Sequence, residues 1–273
     1  MCYHFKKFLS IARDLIFVPR CASCDERLSP IPEKGNLTYN KICFCQKCGE
    51  NWERAKARMC IACGNISENC DCAPSYFFKY QPNIPSLCFY DPNSSNTESK
   101  TIITLKRKND DYLFEFLAIE LYPKLNKTLE KMNIDGKSCL FTWVPRSRRS
   151  AARSGFDQGK KLAKLTSKLF GANIYPLFLR VGGREQKTLN KLERRKNAQV
   201  SIKLNSPMHG FRTGVSAKNL AEFIRGKNVI IIDDVLTSGE TLRRASELLK
   251  SEGAESVIVA CIAKTANKTA KEG

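Results

Sequence analysis

Residues 228–242 read NVIIIDDVLTSGETL. Val229 to Ile232 form an apolar run with little alternation, as expected of a strand covered on both faces of a parallel sheet. The run ends in two acids, Asp233 and Asp234. A loop of small residues follows, and then a helical pattern, ETLRRASELLKSEGA, that ends near Gly253. A loop between a strand's carboxyl end and a helix N-terminus presents successive backbone N–H groups, and the helix dipole adds to them. Val235 and Leu236 lead from the acids into this loop and count with it as anion-binding positions. Thr237, Ser238, Gly239, Glu240 and Thr241 form its anion cradle. Unusual backbone freedom is needed at only one of these positions, Gly239, where the chain must let an anion approach.

The surrounding chain supplies the sheet. SCLFTWVP (138–145) is a short apolar run ending in proline, and ESVIVACIA reads as a second buried strand. GKKLAKLTSKLFG places Leu162, Leu165, Thr166 and Leu169 on one helical face, with Gly171 as a stop. DDYLFEFLAIELYPKL suggests a helix with a kink or stop at Pro123. DPNSSNTESK (91–100) reads as a loop or hairpin tip. Strands alternating with helices predict an α/β fold with a mostly parallel sheet and flanking helices. Composition shifts near residue 75, which divides the chain into an N-terminal helix and cysteine-rich module (1–75) and an α/β domain (76–273).

Eight of the 13 cysteines fall in pairs: Cys21 with Cys24, Cys45 with Cys48, Cys60 with Cys63, and Cys70 with Cys72. Thiolates two residues apart in a tight turn supply two ligands of a tetrahedral Zn2+ site, and two such turns close it. CASC with CQKC makes one set, and CIAC with CDC makes a second. Interleaved pairing, with the first and third pairs sharing an ion, fits the spacing too. An iron–sulfur cluster or redox dithiols are the competing chemistries. The expectation is two structural Zn2+ ions that supply folding energy to a small, polar segment.

The chain carries 46 Lys and Arg against 27 Asp and Glu, a formal charge of +19. That excess points to polyanionic partners. At the N-terminus, Phe5, Phe8, Leu9, Ala12, Leu15 and Ile16 recur at helical spacing. Arg13 and Asp14 interrupt what would be a signal-peptide core, and no apolar run is long enough to span a bilayer. The sequence-level expectation is a cytoplasmic protein, with the inner face of the membrane as one place it could work.

Two carboxylates beside a phosphate cradle suit vicinal sugar hydroxyls and the Mg2+ that accompanies a diphosphate. A ribose carrying a 5′-phosphate and a diphosphate is phosphoribosyl pyrophosphate. No GxxxxGK[ST] occurs, so the loop is not a Walker motif. IIIDDVLTSGETL resembles the signature of type I phosphoribosyltransferases. ITLKRKND (103–110), VPRSRRSAARSGFDQ (144–158) and EQKTLNKLERRKN (185–197), in this order after paired cysteines, are similar to the ComF family. That resemblance implies a double zinc ribbon before a type I phosphoribosyltransferase-like domain, and a role in DNA uptake by naturally competent bacteria. One motif departs from it: the family's RGFNQ is SGFDQ here, Ser154 to Gln158, with Arg153 one residue away from the missing arginine.

For phosphoribosyl transfer, Asp233 and Asp234 would serve the ribose and its Mg2+. Pro145, Arg146, Arg148, Arg149 and Arg153 would form a pyrophosphate loop that stabilises the leaving group. Arg194 and Arg195 could belong to a flap over the diphosphate, or to a charged helical surface. Two function classes follow. One is a competence protein that binds phosphoribosyl pyrophosphate with Mg2+ and handles single-stranded DNA beside the proteins of the uptake machinery. The other is a phosphoribosyltransferase of nucleotide metabolism with an unknown acceptor.

Overall fold

The computed structural model describes residues 19–28, 43–73, 75–180, 202–205 and 220–265, with backbone alone at 148–150. The expected N-terminal helix and the 185–197 motif lie outside the described residues. Helices α1 (Gln46–Ala57), α2 (Ser75–Phe78), α3 (Thr97–Arg107), α4 (Asp111–Lys131), α5 (Arg148–Ser154), α6 (Gln158–Leu169), α7 (Leu220–Ile224) and α8 (Glu240–Ser251) surround the strands. The strands are β1 (Cys88–Tyr90), β2 (Leu140–Trp143), β3 (Phe178–Arg180), β4 (Ile202–Leu204), β5 (Asn228–Leu236) and β6 (Ser256–Thr265).

Four strands form one sheet in the order β1-β6-β5-β2, and every pairing in it is parallel. β3 and β4 make a separate antiparallel pair. The α/β class expected from the alternation of strands and helices is therefore the one observed. β5 and β6 explain the unbroken apolar runs. Ile230, Ile232, Ile258, Ala260 and Ile262 point into one core with Leu113, Leu117 and Leu162. Val229, Ile231, Val257, Val259 and Cys261 point into the other, with Leu242, Ala245 and Leu249 of α8. Each face is sealed, so every side chain of the run is apolar whichever way it points.

Two local expectations are refined by the structure. Of the kink or stop expected at Pro123, the stop does not occur: α4 continues to Lys131. Its buried stripe runs through Leu121, Leu125 and Leu129, and this packing outweighs the hydrogen bond lost at the proline. The polar stretch 91–100 is only partly a loop, because α3 begins at Thr97. The Asn96 side chain accepts from the Ser99 N–H at 3.0 Å, so a residue that reads as turn-forming is a helix cap.

The cysteine-rich segment contributes to the same core as the sheet. Trp52 of α1 is fully buried. Its ring stacks on Phe44 at 5.5 Å between centroids, and both rings meet Phe116 of α4 edge-on, at 6.0 and 5.6 Å. Cys43, Phe44 and Trp52 belong to one buried cluster with Leu117 and Ile230. Apolar burial thus adds to whatever a metal contributes here.

A Trp52→Ala variant should lose about 3–5 kcal/mol of unfolding free energy, the range for emptying a large buried aromatic site. Denaturant unfolding should show the loss in the transition of the sheet as well as of the cysteine segment. A variant that unfolds at the wild-type midpoint would contradict the shared core.

Candidate functional site

The carboxyl ends of β1, β5 and β2 meet at a cleft of about 700 Å³. Its walls carry Tyr90, Val144, Pro145, Arg146, Arg153, Asp157 and Gln158, together with every residue from Asp233 to Leu242. Open α/β sheets bind ligands at this edge. The structure thus brings the acid pair, the 237–241 loop and three members of the arginine loop to one place. Arg148 and Arg149 lie in α5, and their side chains are outside the described ones.

The loop before α8 leaves its helix start without a side-chain cap. Gly239 occupies the N-cap position with φ 73°, in the left-handed region, and no side chain caps the helix. The contrast with other helices is informative. Asn96 caps α3, Asp110 caps α4 and Asp157 caps α6, each by accepting backbone N–H bonds. A helix start without a side-chain cap keeps its orphan N–H groups and its dipole for something else. Glu240 contributes backbone to this cradle, while its carboxylate turns away to accept from Arg243 Nε at 3.1 Å.

The acid pair is held from several sides. Asp234 Oδ1 accepts from the Val235 N–H at 2.7 Å, and Asp233 Oδ1 accepts from the Asp234 N–H at 2.8 Å. Gln158 Nε2 donates to Asp234 Oδ2 at 3.2 Å. Lys106 lies 3.8 Å from the same oxygen and 5.1 Å above the Tyr90 ring. Desolvation, followed by the charge of Asp234, pushes the Asp233 carboxyl well above the usual carboxylate range. Such a pair gains from a cation that neutralises both members.

Cations gather opposite the acids. Arg146 donates to Ser154 Oγ at 2.8 Å, and its backbone N–H donates to Asp157 Oδ2 at 3.1 Å. Ser154 stands where the resembled motif has arginine, so the loop spends its own Arg146 on holding that turn. Arg153 is exposed at the cleft wall. Arg180 donates to the Pro145 carbonyl at 3.4 Å, and its charge interacts with Asp233 and Asp157.

Lys106, Arg107, Gln158 and Arg180 were not singled out as site residues from sequence. Lys106 and Arg107 lie in ITLKRKND, and Gln158 closes SGFDQ, so two motifs contained the signal. Arg180 had none, because β3 is too short to show a pattern. Gln158 Oε1 is buried without a hydrogen-bond partner among the described residues. It leaves an acceptor beside the acid pair.

The cysteines form two separate groups. Cys21, Cys24, Cys45 and Cys48 make one, and Cys60, Cys63, Cys70 and Cys72 the other, with sulfurs within 4.8 Å of one another in each. This settles the pairing left open by the spacing: the pairs are not interleaved. The leading turns repeat each other. Arg20 bridges to Arg27 around CASC, and Met59 bridges to Ile66 around CIAC. Asp25 and Gly64, each one residue past the second cysteine, both take positive φ, 63° and 73°. Burial raises the Cys60 thiol, but backbone N–H groups of Cys63 and Ala62 bring it down to about 7. Cys21 is likewise buried, and the N–H groups of Cys24, Cys45 and Ser23 bring it below its usual value. Cys45 sits at the uncapped start of α1, where the helix dipole favours thiolate. Burial outweighs that help and pushes the Cys45 thiol upward, so a bound cation is what would keep it ionised. These donors and distances fit a metal held by four sulfurs.

Comparison with known proteins bears on residues 186–272, which match the family model for the phosphoribosyl transferase domain. A 37-residue stretch is 49% identical to ribose-phosphate pyrophosphokinase of Pyrococcus furiosus, covering 14% of this chain and 13% of that protein. Among solved structures, a hypoxanthine phosphoribosyltransferase from Staphylococcus aureus is similar, with TM-score 0.32 and 16% identity over 55% of this chain and 62% of that one. A purine phosphoribosyltransferase from Pyrococcus horikoshii gives TM-score 0.31 and 20% identity, over 55% and 74%. No helix among the described residues is long and apolar enough to cross a membrane. The family match contains the acid pair and the 237–241 loop.

Proposed function

We propose that the cleft binds phosphoribosyl pyrophosphate with Mg2+, and that phosphoribosyl transfer is the reaction class it serves. The observation that carries this reading is the start of α8. A left-handed Gly239 opens a helix with no side-chain cap, directly beyond two acids at the end of β5. The cradle from Thr237 to Thr241 takes the 5′-phosphate on its N–H groups and hydroxyls. Asp233 and Asp234 accept the two ribose hydroxyls and hold the ion. Mg2+, when bound, offsets the charge that builds on the departing diphosphate. Lys106, Arg146, Arg153 and Arg180 add fixed positive charge on that side of the cleft. Arg148 and Arg149 belong to the same proposed loop.

The two cysteine groups are proposed to hold structural Zn2+. Four sulfurs about 2.3 Å from a tetrahedral ion lie roughly 3.8 Å apart. The Cys24–Cys45 and Cys60–Cys72 sulfurs are 3.7 and 3.8 Å apart.

A second reading is a platform for single-stranded DNA in DNA uptake, as the ComF resemblance implies. The formal charge of +19 favours it, since one phosphorylated sugar needs only a few cations. Uptake-machinery partners and a place at the inner membrane face go with this reading.

Asp233→Asn with Asp234→Asn keeps side-chain size and removes both charges. Hydrogen bonds to charged groups contribute roughly 1.5–3 kcal/mol each. Calorimetric titration should therefore show Mg2+-dependent affinity for phosphoribosyl pyrophosphate falling by about a hundredfold or more. Wild type that takes up no ligand at millimolar concentrations of both ligand and Mg2+ would overturn the reading. Elemental analysis of protein purified without chelator should find two Zn2+ per chain; a content near zero would remove the metal assignment. Binding of single-stranded DNA should weaken steeply between low and high salt, and a salt-independent affinity would exclude the basic surface as its origin.

A further inference from the structure

Lys264 is an unusual buried cation. It belongs to β6, and only 3% of its surface is exposed. Its ammonium donates to the Ser67 carbonyl at 2.6 Å and to the Cys70 carbonyl at 3.3 Å. Both acceptors lie in the loop that carries the second cysteine group. No carboxylate among the described residues hydrogen-bonds to it. The nearby acid Glu68 is engaged by Lys124 at 2.7 Å. Neutral carbonyls alone compensate a buried charge poorly. Burial disfavours the Lys264 charge, and Cys261, Cys70, Cys63 and Glu68 are the groups that act to hold it. Burial pushes the Cys261 thiol up to about 12, which leaves Cys63 and Cys70 of the cysteine group as the thiols a metal would ionise.

The location reinforces this. Lys264 is the register partner of Phe89 in β1. Phe89 forms a small buried cluster with Cys60 and Cys70, and Cys63 and Cys72 pack against it. The second cysteine group is therefore seated on the β1–β6 edge of the sheet. A divalent ion in four thiolates leaves a net dianion, which is costly to seat against buried protein without an opposing charge. Among the described residues, the first group has no buried lysine of this kind. Its neighbouring cations, Arg20 and Lys108, pair with Asp25 at the surface.

We propose that Lys264 is the buried counter-cation of the second cysteine group, the residue that lets this group retain its metal as a tetrathiolate on the edge of the sheet. It is a positioning residue: it touches the ligand loop through carbonyls and not the metal. This rests on the reading of the group as a Zn2+ site. A residue behind the ligands of a metal site changes metal affinity by about 10- to 100-fold when removed.

The test uses the full chain purified with zinc, and a chromophoric chelator that reports release over time. Wild type should release its metal in two phases, with the second group as the slow one. Lys264→Met keeps the length and apolar stem of the side chain. It should leave the fast phase unchanged and accelerate the slow phase about 10- to 100-fold. Cobalt substitution should show the same selective loss, in the thiolate charge-transfer absorbance. A purely structural lysine predicts instead a lower melting temperature with two tightly held ions. Two ions released at wild-type rates from Lys264→Met would overturn the proposal. Should that variant not fold, Cys24→Ser and Cys63→Ser decide the matter. The metal left in Cys24→Ser must leave more slowly than the metal left in Cys63→Ser, and the reverse order refutes the proposal. Wild type that holds zinc in the first group only refutes the metal reading itself, and the proposal with it.

Discussion

A strand sealed on both faces has no room for a charge that lacks a partner. That constraint governs β5. From Val229 to Ile232 every side chain enters one of two apolar cores, and an ionised group at any of these positions would be buried without a partner. Asp233 and Asp234 follow directly, at the first positions past this sealed run that are not buried as whole residues. The parallel pairing of β5 with β2 and β6 then aligns the other strand ends at the same edge. The arginine loop after β2 and the lysine of α3 are consequently drawn toward the acids. The cleft is the end of the core, and its polarity is what the core could not contain.

Helix starts show a related division. Three of the longer helices close their N-termini with Asn96, Asp110 or Asp157. Among the described residues the two that do not, α1 and α8, begin at Cys45 and Gly239. One is a member of a sulfur cluster, and the other opens the proposed phosphate cradle. These two starts lack the side-chain cap that the other three supply from within the chain.

Much of this was legible in the sequence, for identifiable reasons. The β5–α8 unit combined an unbroken apolar run, two acids and a glycine within a few residues, and each signal pointed to the same local structure. The cysteine spacing announced metal-like clusters. It suggested CASC with CQKC and CIAC with CDC but left interleaving open, since only the fold brings CASC beside CQKC. Lys106 and Gln158 were hidden because their roles depend on contacts with Asp234 across long sequence separations. Pro123 left open whether the helix stopped, and the leucine stripe of α4 carries it on. The union of cysteine segment and sheet was invisible too, since Trp52 meets Phe116 only in three dimensions.

The strand order β1-β6-β5-β2 also bears on how the chain is made. β1 is formed from residues 88–90, yet its neighbour in the sheet is β6, residues 256–265. During synthesis the cysteine segment, β1, α3 and α4 leave the ribosome long before the strand they dock on exists. Their apolar faces, Phe89 and the Leu113–Leu129 stripe among them, must wait for the last strand of the sheet. Domains whose pairings are this remote in sequence close late and expose aggregation-prone surface meanwhile. Early capture of metal by the cysteine turns would shorten that exposure for a segment made so long before β6.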